Sequence, residues 1–373
     1  MARSILPAPI ATLPFRMLLP LTLLTCFGAA VLDSAAGGSF STYSFSHLTR
    51  FLIFVVMALV IRSFPRELLT WAAYPAYAAV VLMLMVVEAI GAVGGGSQRW
   101  IDLGFMQLQP SEFMKPTIVL VLAHFYASLP PGMTGSWRAL IPAGIMLGLP
   151  MGLVLVQPDL GTAMAIGFGG VVVMFLAGLP FRWFAGGGLA GAIIAPLAYF
   201  FALHDYQRSR VTVFMDPESD PLGTGYHITQ SKIAIGSGGI LGKGFGEGSQ
   251  SHLNYLPEPH TDFVFATMAE EWGLIGGLFV LLVFGIVLRW GWTVARRAPD
   301  RFSSLLAGGM TATIFFYVAI NLLMVMGLAP VVGIPLPFMS HGGSSMMTNM
   351  ICIGTLMMVD RWSNRPGGGG TLA

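Results

Sequence analysis

The sequence predicts an all-α polytopic membrane protein with about ten transmembrane helices and one long extracytoplasmic loop between helices 7 and 8. Three observations carry this. Charged residues make up only 10% of the 373-residue chain and hydrophobic residues 55%, whereas a soluble domain carries about 25% charged residues. The apolar residues come in separate runs close to the about 20 residues that a helix needs to cross a bilayer. These runs do not alternate apolar with polar, which excludes a transmembrane barrel of strands of about 10 residues.

A short Pro-containing tail, 1–12, precedes a single domain spanning 13–361, and a second tail, 362–373, is too short and glycine-rich to fold. The first apolar run follows Arg3 and Arg16 as in a secretory signal, but the many later spans make it an uncleaved first helix. The spans are expected at roughly Pro14–Leu32, Leu48–Ile61 (starting as early as Phe45), Leu69–Ile90, Glu112–Leu129 and Leu140–Val156. The remaining five are Leu160–Leu179, Phe184–Leu203, Phe263–Leu288, Leu305–Leu328 and Ser344–Val359. Cys26 and Cys352 fall inside apolar runs and read as buried thiols behaving as small hydrophobes. No CxxC or Cys/His cluster suggests a metal or redox centre, and no period of about 20–50 residues marks a solenoid.

Orientation follows from the loop arginines. With the N-terminus inside, Arg3, Arg16, Arg62, Arg66, Arg138, Arg182, Arg289, Arg296, Arg297, Arg301, Arg361 and Arg365 are all cytoplasmic. The opposite short loops keep Arg50, Arg99 and Lys115. Both termini are then cytoplasmic and the long loop, 204–262, faces the periplasm or exterior of a bacterial cell. The formal net charge of +2 says little, since the placement of lysine and arginine matters more than their sum; no nucleic-acid partner is expected.

Polar residues concentrate on the outer side. The third connection, GGGSQRWIDLGFMQLQPSEFMKP, reads as a loop leading into a helix. Glu112 and Lys115 stand at i, i+3 and can pair on one face. They tie down a loop, or they form a cationic site for an anionic ligand with Arg99 as the free donor; ionisable residues at membrane depth are functional suspects. Asp159 in QPDLGT suits the cap of the sixth span. Pro335 and Pro337 break the loop before the last span, and Ser344 or Ser345 begins the last helix, either after a re-entrant turn or beside a backbone nest for phosphate.

The stretch Tyr206–Trp272 is polar, basic and rich in glycine and proline. Arg208 and Arg210 alternate in QRSRVTVF, so an extended segment would present both on one side. Tyr226 to Ile235 reads as a short helix ended by Gly236, with Lys232 among its apolar positions. Gly242-Lys243 lacks the first glycine and the following Ser or Thr of a phosphate loop, and no strand precedes it, so nucleotide binding is rejected. Pro257 and Pro259 hold the approach to Asp262 extended, beside His260. As the start of a continuous helix, Asp262 would share a face with Ala266 and Ala269, leaving room for something large. Asp262 is either a helix-terminal carboxylate or a functional one, and spacing alone does not choose.

Taken in order, GSQRWIDLG with QPSEFMK, QPDLGT, YQRSRVTVFMDPESDPLGTGYHITQSKIAIGSGG, LPEPHTDFVFA with AEEWG, and PLPFMSHGGSS resemble the shape, elongation, division and sporulation (SEDS) family of polytopic peptidoglycan glycosyltransferases. The resemblance covers nearly the whole chain, and YHITQSKIAIGSGG is most similar to its elongation branch. His341 departs from the pattern, which has tyrosine there.

The resemblance implies polymerisation of lipid II: the acceptor 4-hydroxyl attacks the anomeric carbon of a chain linked to undecaprenyl pyrophosphate. It puts the catalytic carboxylate on Asp262 and gives Arg99, Glu112, Lys115, Asp159 and Lys232 as site-forming positions. A glycosidase needs two carboxylates because its leaving alcohol must be protonated, whereas a pyrophosphate leaves readily and needs cations instead. Arg99, Lys115, Arg208, Arg210, Lys232 and Lys243 are available for that, with Glu112, Asp159, His260 and Ser344 in support. An aspartate is a weak base at about pKa 3.9; partial burial would raise it and nearby cations would oppose the rise. A divalent cation, Mg²⁺ or Mn²⁺, would suit the pyrophosphate, but no ligand cluster is assigned to it. The implied partners are lipid II, the growing undecaprenyl-linked glycan, membrane lipids and a class B penicillin-binding protein. A lipid II flippase or a scaffold of the wall-synthesis complex are the competing readings.

Overall fold

The computed structural model describes residues 14–39, 43–90, 92–94, 97–102, 107–201, 208, 212–216, 224–253, 255–256 and 258–364. The tail expected at 1–12, residues 365–373 of the tail expected at 362–373, and Arg210 lie outside the described residues; the last helix runs on to Ser363, into that expected tail.

Ten long helices match the ten expected spans: α1 (Phe15–Ala35), α2 (Ser44–Ser63), α3 (Arg66–Ile90), α4 (Pro110–Ser128), α5 (Trp137–Val156), α6 (Leu160–Leu176), α7 (Phe181–Phe201), α10 (Val264–Arg297), α11 (Arg301–Val325) and α12 (Gly343–Ser363). Among the described residues between α7 and α10 lie two short ones, α8 (Thr224–Ser237) and α9 (Ser249–His252), besides a helical turn at 212–215. Seven of the long helices are apolar and long enough to cross a membrane. The other three are α4, which carries the charged pair Glu112 and Lys115, the 17-residue α6, and α12, rich in Ser, Thr and Met.

The third connection is not a plain loop. It forms a small antiparallel sheet, β1 (Ala92–Gly94), β2 (Ser97–Asp102) and β3 (Gln107–Leu108), with Ala92 opposite Trp100 and Ile101 opposite Leu108. Backbone groups close to a bilayer must find protein partners, and a ladder supplies them where the sequence has too few residues for another helix.

The centre of the bundle is α11, which packs against α4, α6, α10 and α12, while α2 lies along α12 and α1 along α10. Of the apolar window of α11, 72% is buried, against 22% for α2 and α5. The outer helices instead expose apolar side chains, such as Leu52, Leu82, Ile145 and Phe201, as lipid-facing helices do. Cys352 is buried, but Cys26 is exposed on that apolar surface rather than buried.

The loop arginines gather at one end. Arg66 pairs with Asp300 at 3.1 Å, Arg301 donates to the Ala177 carbonyl at 3.0 Å, and Arg361 donates to the Arg62 carbonyl at 3.2 Å. The ends of α2, α6, α10 and α12 therefore meet there, as an alternating topology requires. The polar residues singled out from the sequence lie at the opposite end.

The glycine-rich run is fitted beside a break in α10. Gly273 has φ 61° and ψ −157°, which frees backbone groups on both sides. The Lys243 and Gly244 amides donate to the Glu270 and Glu271 carbonyls at 3.0 and 3.1 Å, and the Leu274 and Ile275 amides donate to Gly239 and Ile240 at 3.0 and 3.3 Å. At Gly242 (φ +82°) a Cβ would lie 2.0 Å from the Glu271 carbonyl oxygen, so only glycine permits this approach.

Candidate active site

Arg99 is placed by β2 against the turn that enters α6. Its Nε donates to the Gln157 carbonyl at 2.7 Å, its Nη2 to the Pro158 carbonyl at 2.5 Å, and its Nη1 lies 3.8 Å from Asp159 Oδ2. Arg99 is thus engaged by the protein and is not the free donor expected. Asp159 is the cap of α6: Oδ1 accepts from the Thr162 amide at 3.0 Å and Oδ2 from Gln109 Nε2 at 3.3 Å.

Glu112 and Lys115 pair at 2.5 Å, one turn into α4, and both are buried. Lys115 Nζ also donates to the Tyr317 hydroxyl at 2.6 Å, and that hydroxyl donates to Glu112 Oε2 at 2.5 Å. The pairing expected from the i, i+3 spacing is observed. Buried charges persist only when paired and hydrogen-bonded, and Tyr317 closes the triangle. Tyr317 was not singled out from the sequence, because nothing marks one tyrosine inside an apolar span.

Asp262 precedes α10 instead of opening it. Residues 259–263 form turns, Phe263 occupies the N-cap and the helix begins at Val264. The cap reading therefore does not hold for Asp262, and neither does the continuous-helix face with Ala266 and Ala269. Both alanines are buried, and the main chain at Ala269 is met by Gly238 of the insert, where a Cβ would lie 2.0 Å from the Ala269 carbonyl oxygen. Asp262 is held from two other elements. Asn321 Nδ2, fully buried on α11, donates to the Asp262 carbonyl at 2.9 Å and to the Ile334 carbonyl at 2.8 Å. Gly333 stands so close that a Cβ there would lie 3.4 Å from Asp262 Oδ2. The turn before α10, the helix α11 and the Pro-rich loop before α12 converge on this carboxylate.

His260 stacks on Tyr43, with centroids 4.3 Å apart and planes 8° from parallel, and its Nε2 is 3.6 Å from Glu258 Oε2. Its carbonyl accepts from the His341 amide at 2.8 Å. His341 Nε2 in turn faces Ser46 Oγ at 2.9 Å and Arg50 Nη1 at 3.1 Å. A guanidinium can only donate, so Nε2 is the bare acceptor and the ring is neutral. Burial, then the Arg50 and His260 charges, lower the His341 pKa from 6.5 to about 4. Arg50 also lies against Gly343, the first residue of α12, which puts it at this end of the bundle. Ser344 is the second residue of that helix, after Gly342 at the N-cap.

The insert cations divide. Lys243 Nζ is bound by Glu270 Oε1 at 2.6 Å and Ser249 Oγ at 2.9 Å, so it fastens the glycine run to α10. Beside it, Glu271 Oε1 accepts from Ser34 Oγ, which ties α1 to α10. Arg208 Nη2 donates to the Phe200 carbonyl at 3.0 Å. Residues 212–215 form a helical turn; the alternation expected for Arg208 and Arg210 falls on 209–211, outside the described residues. Helix α8 runs through Gly236 to Ser237 and packs against α10 and α11, with Ile228, Ser231 and Ala234 buried. Lys232 is exposed on its flank, its stem against Gly327 at the end of α11, and its ammonium has no partner among the described residues. No group of three or more His, Cys, Asp or Glu among the described residues could cage a metal, so Mg²⁺ or Mn²⁺ would depend on the substrate's phosphates.

Known proteins match along nearly the whole chain. A family profile, cell cycle protein FtsW/RodA/SpoVE, matches residues 10–365. Peptidoglycan glycosyltransferase MrdB of Escherichia coli K12 is 42% identical over 345 residues, 92% of each chain. Stage V sporulation protein E of Bacillus subtilis is 36% identical over 366 residues, covering 94% of this chain and 98% of its own. Among solved structures, the rod shape determining protein RodA of Thermus thermophilus superposes with a TM-score of 0.72 at 26% identity over 95% of this chain and 99% of its own. A chain from a peptidoglycan synthase complex, described as coordinating polymerization and crosslinking, reaches 0.83 at 30% identity with the same coverage. The ten packed helices among the described residues and these matches lead to one conclusion: the chain belongs to the FtsW/RodA/SpoVE family of polytopic membrane proteins.

Proposed function

We infer that the chain is a peptidoglycan glycosyltransferase of the elongation type, like the relatives that carry that name, and that it polymerises lipid II at the end of the bundle bearing Asp262. Asp262 acts as the general base. It takes the proton of the acceptor 4-hydroxyl as that oxygen attacks the anomeric carbon, the bond to the pyrophosphate breaks, and undecaprenyl pyrophosphate leaves with its electrons. Attack opposite the leaving group inverts the anomeric centre. The observation that supports this reading is the placement of Asp262 by two other elements: Asn321 donates to its carbonyl, and Gly333 lies beside its carboxylate. A base must be held in a fixed place relative to the proton it takes.

Lys232 is the pyrophosphate cation of this reading, with Arg208 and Arg210 from the same insert. Arg99, Lys115, Lys243, Glu112 and Asp159 hold the walls. His260 and Ser344 stand beside the carboxylate and at the start of α12. The Arg-rich end faces the cytoplasm across the bacterial inner membrane, in accord with the positive-inside rule, and both termini lie on that side. A class B penicillin-binding protein is the partner at the outer surface.

Lipid II polymerisation by the purified protein, with and without that partner, decides between this and the flippase and scaffold readings. Asp262→Asn should abolish polymer formation in both conditions while the protein stays folded. Normal polymerisation by the variant would falsify the assignment of the base.

A further inference from the structure

At the end of the bundle opposite Asp262, α1, α10 and α12 enclose a cavity of about 750 Å³. Arg16, Arg289 and Arg297 line it with Asp360 as the one acidic side chain. Three cations face one carboxylate, on which Arg62 outside the lining also draws, so at least two charges are left uncompensated. Apart from the pull of Asp360 on Arg16 and Arg297, the three guanidinium groups have no partner among the described residues. The lip is apolar: Phe15 and Ile286 line the cavity and are each 46% exposed. Along α10 the wall passes from Ile286 through Arg289 and Trp290 to Arg297, all on one face. An indole between an apolar lip and a charged floor is the pattern of a membrane–water boundary.

We propose that this cavity binds the headgroup of an anionic phospholipid from the adjacent leaflet, with acyl chains leaving over Phe15 and Ile286. The two uncompensated charges match a cardiolipin, whose two phosphates carry two negative charges. A zwitterionic headgroup would leave them in place. Basic pockets between transmembrane helices recognise such headgroups, and guanidinium groups bind phosphate oxygens in pairs. The inference rests on the membrane-spanning fold and is independent of the glycosyltransferase reading.

The test is titration of the detergent-purified full chain with tetraoleoyl cardiolipin, phosphatidylcholine or inorganic pyrophosphate, read by native mass spectrometry and thermal shift. Wild type should bind cardiolipin and gain thermal stability, and should ignore phosphatidylcholine. Removing both charges with Arg289→Gln and Arg297→Gln should weaken cardiolipin binding by roughly thirtyfold. Arg138→Gln with Arg182→Gln, which removes two exposed arginines at the same end outside the cavity, should change it little. If the Gln pair proves unstable, Arg289→Lys with Arg297→Lys keeps the charge and should retain most of the binding. Equal losses in the cavity and control variants, or undiminished binding in the Gln pair, overturn the proposal. Pyrophosphate binding as tight as cardiolipin overturns the lipid as occupant.

Discussion

The Asn321 side-chain amide on α11 donates to the main-chain carbonyl of Asp262 at 2.9 Å, and the same nitrogen reaches the Ile334 carbonyl at 2.8 Å. One buried amide therefore fixes the candidate base to the loop whose Gly333 flanks its carboxylate.

Asn321→Leu should consequently lower kcat far more than it changes KM. Two carbonyls lose their donor, at about 1–3 kcal/mol for each buried group left unpaired, and a misplacement near 1 Å can cost on the order of a hundredfold in rate. Steady-state polymerisation normalised to folded protein checks this. An unchanged kcat per folded molecule would reduce Asn321 to a purely structural role.

The contrast between what the sequence makes legible and what it hides is physical. The ten spans could be read because a bilayer imposes a length and a polarity on each one separately. Glu112 and Lys115 could be paired because i, i+3 is a local rule. Their third member could not, since Tyr317 stands 202 positions from Lys115 and only packing brings it there. Arg50, Tyr43 and Asn321 were missed for the same reason. The sheet holding Arg99 looks like a loop in sequence because its strands are too short to show a pattern. Spacing does not distinguish Asp262 from a helix-terminal carboxylate, and only the motif resemblance singles it out; the structure adds that Phe263 occupies the N-cap.

The Glu112–Lys115–Tyr317 triangle predicts an asymmetry between single and double variants. Lys115→Met leaves a buried carboxylate unpaired and should destabilise by about 3–5 kcal/mol, whereas Lys115→Met with Glu112→Gln should recover much of that loss. Thermal unfolding in one detergent measures both. If the double variant is as unstable as the sum of the two single variants, the pair is not coupled as its geometry requires.

His341 predicts a pH dependence whose sign is fixed. Its folded pKa is pushed down to about 4 from 6.5, so between those values the unfolded chain binds the extra proton. The stability this ring contributes is fully present above pH 6.5 and is lost as pH falls towards 4. Melting temperature should drop more steeply over that window in wild type than in His341→Tyr. Coincident profiles for the two proteins would remove His341 as the titrating group.

The glycine run offers a comparison that separates backbone conformation from space. Gly242→Ala meets both obstacles, a φ of +82° and a Cβ 2.0 Å from the Glu271 carbonyl oxygen, so it should dislodge the segment from the break in α10. Gly239→Ala meets only the first, since φ is +58° with nothing within 4 Å, and should cost about 1–2 kcal/mol. Gly236→Ala meets neither: it lies inside α8 in open space and should stabilise by up to about 1 kcal/mol. Limited proteolysis of the insert, together with thermal unfolding, should rank the variants in that order. Resistance of Gly242→Ala equal to that of Gly239→Ala would show that the close approach to Glu271 is not what anchors the insert.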